Sequence, residues 1–202
     1  MKIKIYIFVC LFLALFTAPK AQADSASSRE YQVKAAFLYN FIMFVDWPEE
    51  KMPAVNEPII IGIIGEDPFG NAFDPVKDKQ AKDRKVAVKR FKGLKDLKKS
   101  GEAEFNQELE AIRKCHLLFI CLSEEKVVKE ITDLIKDSNI LTVGDVPKFL
   151  EAGGGIINFV LEEQKVRFEI DANAAMLAGL KIRSQLLRLA TRVIGMSQEA
   201  KE

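Results

Sequence analysis

GGGIINFVLEEQKVRFEIDANAAMLAGLKIRSQLLRLATRVI, from Gly153 to Ile194, is the stretch whose reading decides the fold. Within it, Ile156–Leu161 and Lys165–Ile170 flank a short Glu-Glu-Gln turn. The second run alternates apolar Val166, Phe168 and Ile170 with charged Arg167 and Glu169. Alternation with period two puts the apolar set on one face, so the pair predicts an antiparallel hairpin with one dry and one wet side. After it, Ala172–Leu180 and Ser184–Ile194 carry apolar residues at helical spacing, with Arg188 and Arg192 four apart on the opposite side. Two helices are expected there.

Upstream, Pro58–Ile64 (PIIIGII) and His116–Leu122 are apolar on both faces, as strands covered by helices on two sides are. Arg84–Phe91 alternates, with Val86 and Val88 inward, and Asn139–Val143 is a short strand leading into Gly144-Asp145. Ser27 and Ser28 can cap a helix over Arg29–Val45 whose stripe is Val33, Phe37, Asn40, Phe41 and Phe44, and Trp47-Pro48 ends it. That stripe reads as a core face or as a ligand-stacking wall. Further helices are expected at Asn71–Val76 and over Glu102–Arg113. Another runs from a Ser123 cap to Lys136, and Pro147 starts a helical turn stopped by Gly153. The rhythm predicts an α/β fold: a single domain with a mostly parallel central sheet flanked by helices, plus an antiparallel C-terminal hairpin at the edge.

Lys2 and Lys4 precede an apolar run, Ile5–Phe16, and Ala21-Gln22-Ala23 fits a small-residue cleavage site. This is the pattern of a secretory signal, residues 1–23, cut after Ala23, leaving 24–202 as the exported domain. Without the leader's three lysines the balance is 27 basic against 29 acidic side chains, which gives no general attraction to nucleic acid. From Lys77 to Lys99 the chain has eleven Lys or Arg, a solvated surface or a docking patch for an acidic partner.

The residues that could carry chemistry are few. His116 is the only histidine and sits mid-strand; zinc and hydrolase sites want converging partners that the sequence does not supply. Gly65-Glu66-Asp67-Pro68-Phe69-Gly70 follows a strand but matches neither nucleotide fingerprint. No cofactor or metal is expected. Cys115 and Cys121, six residues apart, would lie ~20 Å apart in one strand, too far for a mutual disulfide. They are read as free thiols on the same face as Leu117 and Phe119. Asp145 ends a parallel strand, where ligands gather in open α/β sheets, but a helix-capping role before Pro147 fits equally. Lys181, Arg183, Arg188 and Arg192 form a basic set that either complements helix ends or receives a partner. With Asp145, Arg167 and Glu169 they are the candidate partner- or ligand-binding residues.

Taken in order, KAAFLYNFIMFVDWP (Lys34–Pro48), CHLLFI (Cys115–Ile120), LTVGD (Leu141–Asp145), GGGIINFV, RFEID and AAMLAGLKIRSQLLRLA resemble the YfiR family of exported bacterial proteins. The resemblance implies a periplasmic protein without enzymatic activity that represses a membrane-bound diguanylate cyclase. It would bind that enzyme's periplasmic sensory domain, keeping cyclic-di-GMP and biofilm formation low. A homodimer and an outer-membrane lipoprotein partner are further implications. Redox-regulated members use paired cysteines, and Cys115 and Cys121 depart from that pattern; Arg183 adds charge where the family has small residues. The alternative is a periplasmic small-molecule receptor, with its pocket near Asp145, Lys181 and the first helix's aromatics, signalling to a transducer such as a histidine kinase. An enzyme would require Asp145 and Glu169 to converge.

Overall fold

The computed structural model describes residues 20–77 and 79–195. The apolar leader run lies outside them. In chain order the elements are α1 (Lys20–Phe44), β1 (Val45–Asp46), β2 (Ile59–Ile64), β3 (Gln80–Ala81), β4 (Arg84–Phe91), α2 (Leu94–Lys99) and α3 (Glu102–Arg113). Then follow β5 (Leu117–Ile120), α4 (Val128–Ile135), β6 (Leu141–Gly144), β7 (Ile157–Glu162), β8 (Lys165–Asp171), α5 (Ala172–Leu177), β9 (Lys181–Ile182), α6 (Ser184–Leu187) and β10 (Arg192–Ile194). Short 3-10 turns occupy Glu49–Lys51, Asp74–Val76 and Leu122–Val127.

Eight strands form one sheet in the order β10-β8-β7-β6-β5-β2-β4-β3, and β1 pairs separately with β9. All neighbours in the large sheet run parallel except β7 with β8 and β3 with β4. Because β2 and β5 are doubly covered, their isoleucines and leucines feed two separate cores. Ile61, Ile63, Leu117 and Phe119 face the side closed by α1, and Ile64, Leu118 and Ile120 face α2, α3 and α4. The chain leaves β2 for β4 on one side and returns to β5 on the other, so the order reverses between β2 and β5.

Several sequence readings need adjusting. The hairpin forms, turning at Glu163 and Gln164 with φ of 50 and 62°, the left-handed pair that a two-residue turn requires. It is not the edge. The segment read as a helix to Ile194 makes only the single turn α6, and Arg192–Ile194 becomes β10, parallel to β8. Thr191 N–H donates to Phe168 O at 2.9 Å, so a backbone bond to an open strand outweighs the helical spacing. Pro147 starts turns without a helix, Ser123 lies inside a 3-10 segment that begins at Leu122, and α2 was not foreseen. The stripe on α1 is also rotated: Ala35, Leu38, Phe41 and Ile42 are fully buried, whereas Val33 and Asn40 are exposed.

His116 is a staple. Its Nδ1 accepts from Ile60 N–H at 3.1 Å, so the other nitrogen carries the proton, 3.2 Å from Lys51 O. Trp47 Nε1 donates to its carbonyl at 3.2 Å. Burial, with the Lys51 charge second, pushes the imidazole down to about 4. The unfolded ring titrates near 6.5, so acid favours the unfolded chain between these values. Wild-type unfolding free energy should fall by at most about 3 kcal/mol from pH 6.5 to 4, less where water reaches the ring. In His116→Gln that slope should be absent, as urea melts across the range will show. A Cβ at Gly155 would overlap the Phe149 backbone carbonyl. Gly155→Ala should therefore lower stability by roughly 2 kcal/mol in the same assay.

Candidate functional site

At the carboxyl end of β6, Asp145 turns toward α1. Its Oδ2 accepts from Tyr31 OH at 2.8 Å and from Lys34 Nζ at 2.7 Å. Both donors lie on one face of the helix, three residues apart. The Asp145 and Lys34 side chains are only 8% and 4% exposed. Lys34 also meets Glu30 Oε1 at 2.6 Å, one turn back, and lies 4.3 Å from the Tyr31 ring centroid. Tyr31 packs edge-on against Phe69, and Phe159 lies 5.9 Å from the ammonium. Burial, then the Asp145 carboxylate, push the Tyr31 phenol above its usual range, which keeps it a donor. Asp145 Oδ1 is buried with no hydrogen-bond partner; among the described residues the other such side-chain atom is Asn158 Oδ1.

The crevice at the reversal between β2 and β5 is partly plugged. Gly65, with φ of 104°, lets Ser123 approach, and Ser123 Oγ accepts from Glu66 N–H at 3.0 Å. Buried Glu124 accepts from Leu94 N–H at 2.9 Å and so caps α2. Both lie on the side of α2, which leaves the α1 side of this crevice to Tyr31, Lys34, Phe69 and Asp145.

The remaining candidate residues sit elsewhere. Arg183 grips Asp46 through Nε and Nη2 at 3.0 and 2.8 Å, and Lys82 joins at 2.8 Å. Arg183, with Lys82 assisting against partial burial, holds the Asp46 carboxyl down to about 2. Arg192 clamps Glu169 at 2.9 and 2.8 Å and reaches Glu151 at 3.0 Å, and these carboxylates raise its guanidinium further. Arg167, Lys181 and Arg188 are exposed, with no ion pair among the described residues. Asp145 and Glu169 do not converge. Phe168 and Ile170 face α1, so Glu169 points to the opposite face. Lys181 lies opposite Asp46 in the β1–β9 backbone ladder, and Asp46 is twelve residues beyond Lys34 along the chain, roughly 18 Å away at helical rise.

Cys115 and Cys121 are buried free thiols, but they do not share a face. The strand spans only Leu117–Ile120, so Cys115, before it, packs against Gly62 in the α3 and α4 core while Cys121 joins the α1 core. Burial pushes Cys115 up to about 12 and Cys121 higher still, and neither is a ready thiolate. In the lysine-rich stretch, Arg90 pairs with Asp67, Lys92 with Glu104 and Lys98 with Glu130, so much of that charge is balanced locally. Among the described residues no three His, Cys, Asp or Glu gather as metal ligands, and no helix is long and apolar enough to cross a membrane.

A family model described as YfiR/HmsC-like matches residues 31–191, which include the second half of α1, Asp145, the hairpin and most of the C-terminal segment. The chain belongs to the YfiR/HmsC-like family. This is a family of periplasmic regulators rather than enzymes. Among solved structures, a conserved domain protein from Vibrio cholerae O1 biovar El Tor is similar, with TM-score 0.52 and 12% identity over 81% of this chain. An ABC domain from Streptococcus pneumoniae, solved in complex with L-Trp, gives 0.51 and 12% over 82%. This chain spans 60% of each of those chains, and at such identity the likeness is one of fold alone. No match was found among curated proteins.

Asp145 was legible as a strand-end residue, but its partners were missed. The available signal was Tyr31 and Lys34, polar groups placed three apart on the face that continues into Leu38, Phe41 and Ile42. Removing one member of a buried pair strands the other. Lys34→Met should cost roughly 3 kcal/mol in urea unfolding, and the double variant Lys34→Met with Asp145→Asn should recover part of it.

Proposed function

We propose that this protein is a periplasmic repressor that binds the sensory domain of a membrane-bound diguanylate cyclase and so lowers cyclic-di-GMP and biofilm formation. Its membership of the YfiR/HmsC-like family over residues 31–191 carries this reading. The C-terminal segment adds support. Met176, Leu177 and Leu189 are 66, 84 and 61% exposed, interleaved in sequence with the unpaired cations Lys181 and Arg188. Exposed apolar side chains among cations suit contact with a partner whose surface is acidic at the rim. Arg183 and Arg192 hold that segment in place, and Arg167 lies on the exposed side of the adjoining hairpin. In this reading a homodimer presents the surface, and an outer-membrane lipoprotein is a second partner.

The regulator acts by equilibrium: whatever binds the free form better than the captured form releases the cyclase. Tagged mature protein recovered from the native envelope fraction should bring down an inner-membrane diguanylate cyclase identified by mass spectrometry. Lys181→Glu with Arg188→Glu should reduce that recovery about tenfold without shifting the melting temperature, because neither side chain holds an ion pair among the described residues. Recovery without any cyclase, or undiminished recovery by the variant, would contradict the partner or the surface respectively.

A further inference from the structure

We propose that Asp145 Oδ1 is the acceptor for a small protonated amine, bound beside Tyr31 and Lys34 at the carboxyl end of β6. The carboxylate is lopsided. Oδ2 takes two donors from α1 whereas Oδ1, itself buried, takes none. A buried acceptor left empty is costly, so a donor from outside the chain has a place to gain. Charge selects its kind. Glu30 and Asp145 share the single Lys34 ammonium, and Asp67 nearby is already matched by Arg90, so the cluster keeps a negative excess. Aromatic rings complete the selection, since the Tyr31 and Phe159 faces already attract Lys34 Nζ and would attract a second cation. Glu30 and Tyr31 are the partly exposed members, which places the approach past them.

This site deepens the regulatory reading by giving the repressor an input. Its test uses isolated protein alone, so failure here leaves the envelope capture untouched. Benzylammonium supplies N–H donors, charge and a flat ring; benzyltrimethylammonium keeps charge and ring but has no N–H. In amine-free buffer, calorimetric titration and thermal shift should show saturable binding of the first and none of the second. Asp145→Asn should weaken benzylammonium by roughly tenfold or more. Equal binding of both ligands, equal binding by the variant, or no saturable signal from wild type would overturn the proposal. Should Asp145→Asn fail to fold, nuclear Overhauser contacts between the ligand methylene and the Tyr31 and Phe159 rings decide. Their presence supports the site, and their absence rejects it.

Discussion

The packing of α1 across the aromatic floor of the hairpin is the constraint on which the rest depends. Phe41 stacks on Phe159 at 5.7 Å and meets Phe168 edge-on at 5.1 Å, while Phe37 touches Phe168 at 5.5 Å. Phe119 of β5 and Phe69 continue the layer. Each such ring buries on the order of 150–250 Å², so this seam dominates the apolar burial on its face. Without α1, the inward residues of β7, β8 and β5 would face water. Apolar contacts of this kind tolerate sliding. A buried ion pair does not, because its energy depends on a specific alignment, and Lys34 with Asp145 therefore fixes the axial position of α1 that the phenylalanines leave loose.

The opposite face is closed by fit rather than by charge. Phe149 lies where Gly144 and Gly155 leave no side chain, and Cys115, Leu118 and Phe91 fill the space over Gly62. A methyl group at any of these positions would meet an atom within about 3 Å. The cover on this side is built from short helices and turns, so close approach compensates for the limited apolar surface each contributes. Glu124 shows the same economy: one carboxylate near the β2 and β5 strand ends caps α2 and occupies the notch that Gly93 leaves open.

The longer strands were legible because two distinct patterns mark them, whereas the two- and three-residue strands β1, β3, β9 and β10 were not read. Unbroken β-branched runs identify β2, and period-two alternation identifies β8 and β4 to the residue or nearly so. Capping, turns and phase were harder. Ser184–Ile194 has helical spacing, yet after one turn its backbone pairs with β8, a tertiary choice that a local period cannot register. The α1 stripe was misphased because Phe37 is only partly buried and Val33 is exposed, so large apolar side chains misled the count. Asp145 could be placed at a strand end from its neighbours Leu141–Gly144. Its engagement by Tyr31 and Lys34 spans 114 and 111 residues, and separation of that kind leaves no local trace.

The C-terminal segment shows how charge substitutes for a core. From Ala172 to Gly195 the buried apolar side chains are Ala175, Leu180 and Leu186, too few to fix four short elements by apolar burial. Two arginine forks take over the positioning. Arg183 locks β9 to β1 through Asp46, and Arg183 N–H donates to Phe44 O at 2.9 Å, tying the segment to the end of α1. Arg192 locks β10 to β8 through Glu169 and to the loop at Glu151. Planar, bidentate pairs at exposed positions add little stability, but they restrict orientation. The result is a segment pinned at Arg183 and Arg192, with Leu189 exposed between the two anchors and Met176 and Leu177 exposed ahead of them. A surface meant to be covered by something else can have that form, since its own fold does not use Met176, Leu177 or Leu189.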